Sequence, residues 1–72
     1  MALISDQMLA AKVKTQIAVD GLKSKGDITV EAKDGTITLT GQVDSEKTIE
    51  AARRSALSIP EVMGIENLLK AQ

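Results

Sequence analysis

Four lysines near the start of the chain are the residues whose type and spacing most directly suggest chemistry. They are Lys12, Lys14, Lys23 and Lys25. Set against Asp6 and Asp20, they give residues 1–26 a net charge of +2 (four minus two), although the whole chain carries −1. Such lysines can provide only a weak contact with an anionic lipid surface, because the chain has no aromatic belt and no basic amphipathic face for insertion into a membrane. The alternative is an ordinary solvated face that is balanced by the acidic segment that follows it.

Three aspartates near predicted turns raise the question of a cation site. Asp27, Asp34 and Asp44 carry carboxylates, which bind hard cations, but they lack the one-residue spacing of a calcium-binding EF-hand loop. Solvated turn residues are the simpler interpretation. Backbone carbonyls can bind potassium without leaving a pattern in the sequence, so that form of ion binding remains a further alternative.

The residue types that the chain lacks exclude several functions. It has no histidine, no cysteine and no aromatic residue. Zinc and most transition-metal sites need histidine or cysteine ligands, and serine–histidine or cysteine–histidine catalysis needs the same side chains. Modules that bind single-stranded nucleic acid usually stack bases on aromatic rings. We therefore expect no metal site and no catalysis of these kinds, and no nucleic-acid partner. The acidic residues fall at predicted turns, caps and exposed strand positions, and the glycines form no phosphate-binding loop, so we also expect no enzyme and no cofactor.

The chain is short enough for one domain only. Its 72 residues form a single expected domain, with a core over about residues 5–70. No run approaches the ~18 apolar residues of a membrane-spanning helix. No basic region precedes the apolar start, and Asp6 ends that start at once, so we expect no secretory signal. From the residues alone, the chain is either cytoplasmic or a domain or mature fragment of something longer.

A β-hairpin over residues 28–43 lies between the lysines and the end of the chain. Asp34-Gly35 is a dipeptide that accepts positive φ at both central positions of a tight type I′ turn. Folding about this turn pairs Lys33 with Thr36 and then each earlier residue with a later one. This register places all the apolar side chains on one face: Ile28, Val30, Ala32, Ile37 and Leu39. The opposite face carries only polar residues: Thr29, Glu31, Lys33, Thr36, Thr38 and Thr40. A slip of one residue would place the apolar side chains of the two strands on opposite faces of the hairpin.

A helix is predicted before the hairpin, over about residues 5–20. Ser5 or Asp6 is the expected N-cap, and the core stripe is Leu9, Val13 and Ile17. Gly21 is expected to end the helix in a left-handed conformation, with Leu22 packing back on the stripe. A polar loop over residues 23–27 then leads into the hairpin.

A second helix and a final strand are predicted after the hairpin. Asp44-Ser45 predicts the helix start, and Pro60 its end. The predicted core face of this helix is Ile49, Ala52, Ala56 and Ile59. The final strand is predicted over residues 62–69, and its place in the sheet stays open. The fold class is therefore α+β, in the order α-β-β-α-β, with a three-stranded mixed sheet covered on one face by two helices.

Several of these residues match a known family pattern. The chain resembles the BON domain, a bacterial module named for osmotically inducible and nodulation proteins. The resemblance rests on the stretch DGTITLTGQV over residues 34–43, on two small residues of the second helix and on the ending VMGIENLL over residues 62–69. The family signature falls on Gly35, Leu39, Gly41, Val43 and Asn67. We expect these positions to specify the fold, with Gly41 allowing the second helix or its preceding loop to approach the strand. Pro60-Glu61-Val62 departs from the family's usual Pro-Gly-Val. The turn before the final strand must therefore have a backbone conformation that glutamate can adopt.

The resemblance implies a non-catalytic module of the bacterial cell envelope. Such domains typically occur in periplasmic or membrane-associated proteins, where they are thought to contact phospholipid and to protect against osmotic stress. Some relatives are linked to peptidoglycan-associated proteins, channels or potassium sensing. The implied partner is therefore a phospholipid membrane surface or another envelope protein, with the four lysines as lipid-binding candidates.

Self-assembly or protein interaction is the alternative function. A small sheet has edge strands that invite pairing. The start of the first helix also has more apolar residues than one small core is expected to bury: Met1, Leu3, Ile4 and Met8. Leu68 is expected to lie on the open, polar face of the sheet. These residues have a simpler interpretation too, in which they cap one end of the core.

Overall fold

A computed structural model describes residues 4–72 of the chain. Its elements are helix α1 (Asp6–Val19), strand β1 (Gly26–Lys33), strand β2 (Thr36–Val43), helix α2 (Glu46–Leu57) and strand β3 (Gly64–Ala71). The three strands form one sheet in the order β1-β2-β3. β2 is antiparallel to β1 and parallel to β3. The predicted α+β class and element order are confirmed, and β2 is the central strand.

The predicted hairpin register is confirmed at every pair. Lys33 faces Thr36, Val30 faces Leu39 and Ile28 faces Gly41. The two turn residues, Asp34 and Gly35, have φ values of 52° and 87°, as a type I′ turn requires.

The loop predicted between α1 and the hairpin is wrong in part. Residues Leu22–Lys25 form a 3₁₀ turn, and β1 begins at Gly26 rather than at Ile28. Gly26 and Asp27 extend the ladder because they pair with Val43 and Gln42 at the far end of β2. The polar residues of this segment predicted a loop. The length of β2 instead decides where β1 begins.

Both helices begin at the predicted caps. The Ser5 hydroxyl accepts a hydrogen bond from the Met8 amide, and the Ser45 hydroxyl accepts one from the Thr48 amide. α1 ends before Gly21, which has the expected left-handed conformation at φ 78°, and Leu22 is buried in the core. The caps therefore set both helix starts, as the sequence predicts.

The final strand lies two residues later than predicted. Val62 and Met63 precede β3, and their amides donate to the carbonyls of Ile59 and Gly35, which lie outside the strands. β3 starts at Gly64, which pairs with the first residue of β2. The corner at Glu61 uses an ordinary backbone conformation, since Asp34 is the only non-glycine residue with positive φ within residues 4–72. The expectation for this corner is confirmed.

The core lies between the two helices and one face of the sheet. α1 contributes its predicted stripe, and α2 contributes Ala52 and Ala56, which are both fully buried. The strands contribute Val30, Ile37, Leu39, Val43 and Leu69. α2 also buries Thr48 and Ser55, whereas the predicted core residues Ile49 and Ile59 are only half-buried. Small side chains at the centre of α2 let it approach the sheet closely.

Gly41 lies where the backbone of β1 leaves no room for a side chain on β2. It has φ 126°, and a Cβ atom at this position would lie 2.0 Å from the Asp27 carbonyl oxygen. The expectation that Gly41 makes room for α2 or its preceding loop is therefore wrong. The neighbour that excludes a side chain is the backbone of β1.

Replacing this glycine should destabilise the domain strongly. Gly41→Ala combines an unfavourable φ with a clash against backbone, and we expect a loss of about 3 kcal/mol or more in the free energy of unfolding. A domain of this size has about 4–11 kcal/mol in total. Urea unfolding followed by circular dichroism measures the loss.

Gly64→Ala is the matched control for that substitution. Its Cβ would lie 3.7 Å from the Thr36 hydroxyl oxygen, an ordinary contact, and Gly64 has no positive φ. Equal losses for the two variants would contradict the role assigned to Gly41.

Candidate functional site

The four candidate lysines do not form one patch. Lys14 and Lys23 line a groove between α1 and β1, whose apolar wall includes Ile17, Ala18 and Ile28. The groove has a cavity volume of about 190 Å³. Its lining is mostly apolar, and the two ammonium groups supply its positive charge. An anionic group with an apolar part therefore fits its chemistry.

Lys12 lies on another side of α1 and is paired. Its Nζ lies 2.9 Å from Oε2 of Glu61, in the corner between α2 and β3. The Lys12 ammonium holds the pKa of the Glu61 carboxyl below its ordinary value, with help from the Glu61 backbone amide. Glu61, which stands where the family usually has glycine, thus pairs with the charge of Lys12.

Lys25 lies at the other end of the sheet, close to Asp44. The Lys25 carbonyl accepts a hydrogen bond from the Asp44 amide at 2.9 Å. The Thr48 hydroxyl donates to the Asp44 carboxylate at 2.6 Å, and this bond is the main reason that the pKa of Asp44 is lowered. Ser45 and the Lys25 charge lower it further. Asp44 therefore acts as a carboxylate that holds the first turn of α2.

The three candidate aspartates are not brought together. Asp34 lies in the hairpin turn, whereas Asp27 and Asp44 lie at the opposite end of the two strands. Across residues 4–72, no three acidic side chains gather in a way that could hold a metal ion. The structure therefore offers these acids no common site.

The apolar candidates for self-assembly are also dispersed. Ile4 packs against the core, whereas Met8 is 59% exposed and Leu68 is 50% exposed on the open face of the sheet. The predicted position of Leu68 is confirmed. Met1 and Leu3 lie outside the described residues. Neither helix of the described part has the length and apolar character needed to cross a bilayer.

Comparison with protein families places the chain in one of them. The family model described as "BON domain" matches residues 5–72. The chain belongs to the BON domain family. This match covers nearly the whole chain and confirms the resemblance found in the sequence. A search of the curated proteins finds no match.

A solved structure shows the same fold. It is described as "CdsD - The structural protein of the Type III secretion system of Chlamydia trachomatis: C-terminal domain". Its TM-score is 0.77 at 12% sequence identity, over 99% of this BON domain and 35% of the CdsD chain. The BON domain thus spans about a third of that chain, and the likeness concerns the fold.

The signature residues of this BON domain have structural roles. Gly35 forms the turn, Gly41 permits the close approach of the strands, and Leu39 and Val43 are buried in the core. The Asn67 side chain donates to the Ile49 carbonyl of α2 and accepts from the Leu69 amide of β3.

One polar contact in the domain carries no signal in the sequence. The buried Ser55 hydroxyl of α2 donates to the carboxylate of Asp20, the residue that caps the end of α1. These residues are 35 positions apart. The spacing of polar residues along α2 could not reveal this partner, because it depends on how the two helices pack. The groove of Lys14 and Lys23 was missed for the same reason, since its two walls belong to different elements.

The hydrogen bond from Thr48 predicts a specific pH dependence. Because the folded protein lowers the pKa of Asp44, this carboxylate contributes stability above its ordinary pKa near 3.8, and the contribution is lost as the pH falls through the folded pKa. In Thr48→Val, the pKa of Asp44 should rise, and the difference in unfolding free energy from the parent should shrink as the pH falls below about 4. Carboxyl-carbon NMR titration and urea unfolding at several pH values measure both effects.

Thr36→Val serves as the control for that titration. Thr36 is exposed on the open face of the sheet, and its hydroxyl makes no hydrogen bond to a carboxylate within residues 4–72. An Asp44 titration that is identical in parent and Thr48→Val would contradict the assigned cause.

Proposed function

We propose that this BON domain is a non-catalytic binding module of the bacterial envelope that contacts anionic phospholipid through the groove of Lys14 and Lys23. Membership of the family and the likeness of fold to a domain of a secretion-system structural protein fit an envelope-associated module. The observation that carries the finer proposal is the pair of lysines beside an apolar wall. The proposal places the module in the periplasm or the cell envelope and gives it a part in protection against osmotic stress.

The chemistry of the groove favours a lipid phosphate over a fully polar anion. Lysine ammonium groups bind phosphate as point charges, and each contributes about 1 kcal/mol at an anionic membrane surface. The apolar wall formed by Ile17, Ala18 and Ile28 would contact the glycerol and upper acyl carbons of the same lipid. Binding is expected to be peripheral and sensitive to salt, because the chain has no aromatic residue to anchor it at the interface.

The other two candidate lysines should contribute less. Lys12 already forms an ion pair with Glu61, and Lys25 lies within the field of the Asp44 carboxylate. Releasing either lysine for a lipid phosphate would break an existing interaction. The proposed site is therefore limited to Lys14, Lys23 and the groove between them.

Removing the two groove charges should abolish most of the lipid binding. We expect the Lys14→Gln/Lys23→Gln double variant to bind phosphatidylglycerol vesicles about tenfold or more weakly than the parent, given two lysine contacts. Vesicle co-sedimentation at low and high salt measures the affinity. Phosphatidylcholine vesicles test the need for anionic lipid.

Lys47→Gln/Lys70→Gln is the matched control, because it removes the same charge from α2 and β3. Both residues are exposed, and neither forms a salt bridge within the described residues. The control should retain parental binding. Equal losses in the two double variants would show a response to net charge alone, and no binding by the parent at low salt would remove the proposal.

A further inference from the structure

The outer edge of β1 has unused backbone hydrogen-bonding groups. Lys33 and Thr36 flank a two-residue turn, so their backbone groups bond each other and alternate residues of β1 face outward. The outward residues include Ile28, Val30 and Ala32. Within residues 4–72, the amides and carbonyls of these three make no hydrogen bond outside the strand ladder. An edge of this kind can add another strand.

The opposite edge of the sheet is partly blocked. The Gln72 amide donates to the Val43 carbonyl of β2, so alternate residues of β3, including Leu69, face outward. The outward Leu69 amide already donates to the Asn67 side chain, which also holds α2 through the Ile49 carbonyl. Asn67 thus occupies part of the β3 edge. β1 presents the more available edge.

We propose that β1 pairs antiparallel with β1 of a second copy of the chain, about a two-fold axis at Val30. This pairing joins the two sheets into one sheet of six strands and satisfies the outward groups of β1 in both copies. Ile28 of each copy then faces Ala32 of the other. Both are half-buried in the single chain and would become covered.

Among the two-fold registers that pair five or more residues of β1, only the axis at Val30 gives opposite-charge pairs. With the axis at Val30, Asp27 of each copy lies opposite Lys33 of the other, which gives two opposite-charge pairs on the open face. An axis at Thr29 would place Asp27 opposite Glu31 in both directions. An axis at Glu31 would place the two Glu31 side chains opposite each other. Like charges directly opposite are destabilising, so the neighbouring registers are disfavoured.

Charges on the helix-covered side of the β1 edge are also complementary about the two-fold axis. On this side, Lys14 and Lys23 flank the edge near Gly26. Asp6 of α1 flanks it near Lys33, at the other end of the strand. An antiparallel partner brings Lys14 and Lys23 of one copy towards Asp6 of the other. This arrangement favours a second copy of the chain over a partner of uniform charge.

The inference does not depend on lipid binding, and it is tested without lipid. Pairing along one strand buries little surface, so a weak dimer is expected. Sedimentation equilibrium from about 10 µM to about 1 mM covers the range of such affinities. The parent should show a reversible monomer–dimer equilibrium, and exchange of the Val30 amide hydrogen should slow as the concentration rises.

Charge reversal tests the register. D27K places two lysines opposite each other at both ends of the interface, and K33D does the same with two aspartates. Each variant alone should have a dimer dissociation constant raised about tenfold or more, the direction that like-charge repulsion requires. An equimolar mixture of D27K and K33D should regain dimer, because both cross pairs become attractive. The D27K/K33D double variant should regain it as a homodimer.

Several results would overturn the proposal. A parent that stays monomeric to about 1 mM, or single variants that dimerise as well as the parent, would do so. A mixture that forms no heterodimer, or hydrogen exchange that slows at β3 instead of β1, would also do so. K47D is the control for net charge and should dimerise like the parent, since Lys47 lies on α2. Circular dichroism verifies that each variant is folded, and the recovery in the mixture separates repulsion from loss of fold.

Discussion

The close approach of the β1 and β2 backbones is the constraint on which the rest of this structure depends. A side chain at Gly41 would collide with the Asp27 carbonyl, so the two strands can run together to Gly26 and Val43 only because glycine is present. β2 is bonded along both of its sides, and its two ends therefore determine where β1 and β3 begin and end. The helices then pack on the one apolar face that this register creates.

Local patterns predict the parts of the fold that local physics decides. The Asp34-Gly35 turn, the hairpin register, the Ser5 and Ser45 caps and the core stripe of α1 all follow from short segments of the sequence. Strand ends and polar contacts between elements do not. β1 and β3 take their bounds from β2, and Ser55 finds Asp20 only because α1 and α2 pack together. The groove could not be predicted for the same reason, since its walls belong to α1 and β1, whereas the lysines that line it were predicted as candidates.

The family signature and the proposed functional surfaces occupy different parts of the molecule. Gly35, Leu39, Gly41 and Val43 form the turn, the strand contact and the core, and Asn67 links β3 to α2. The groove and the free edge both lie along β1, beside α1. The proposed binding surfaces therefore lie on the α1–β1 side of the domain, and none of the five signature residues lines the groove.

The most direct measurement is an amide NMR titration of the isotope-labelled domain with phosphatidylglycerol bicelles, run at a low protein concentration. If lipid binds in the groove, the largest shift changes occur at Lys14, Ala18, Lys23 and Gly26, and they disappear at high salt. Shift changes centred on the open face of the sheet, or around Lys12 and Ile59, would contradict this assignment. A spectrum that does not respond to the bicelles at any salt concentration would contradict lipid binding itself.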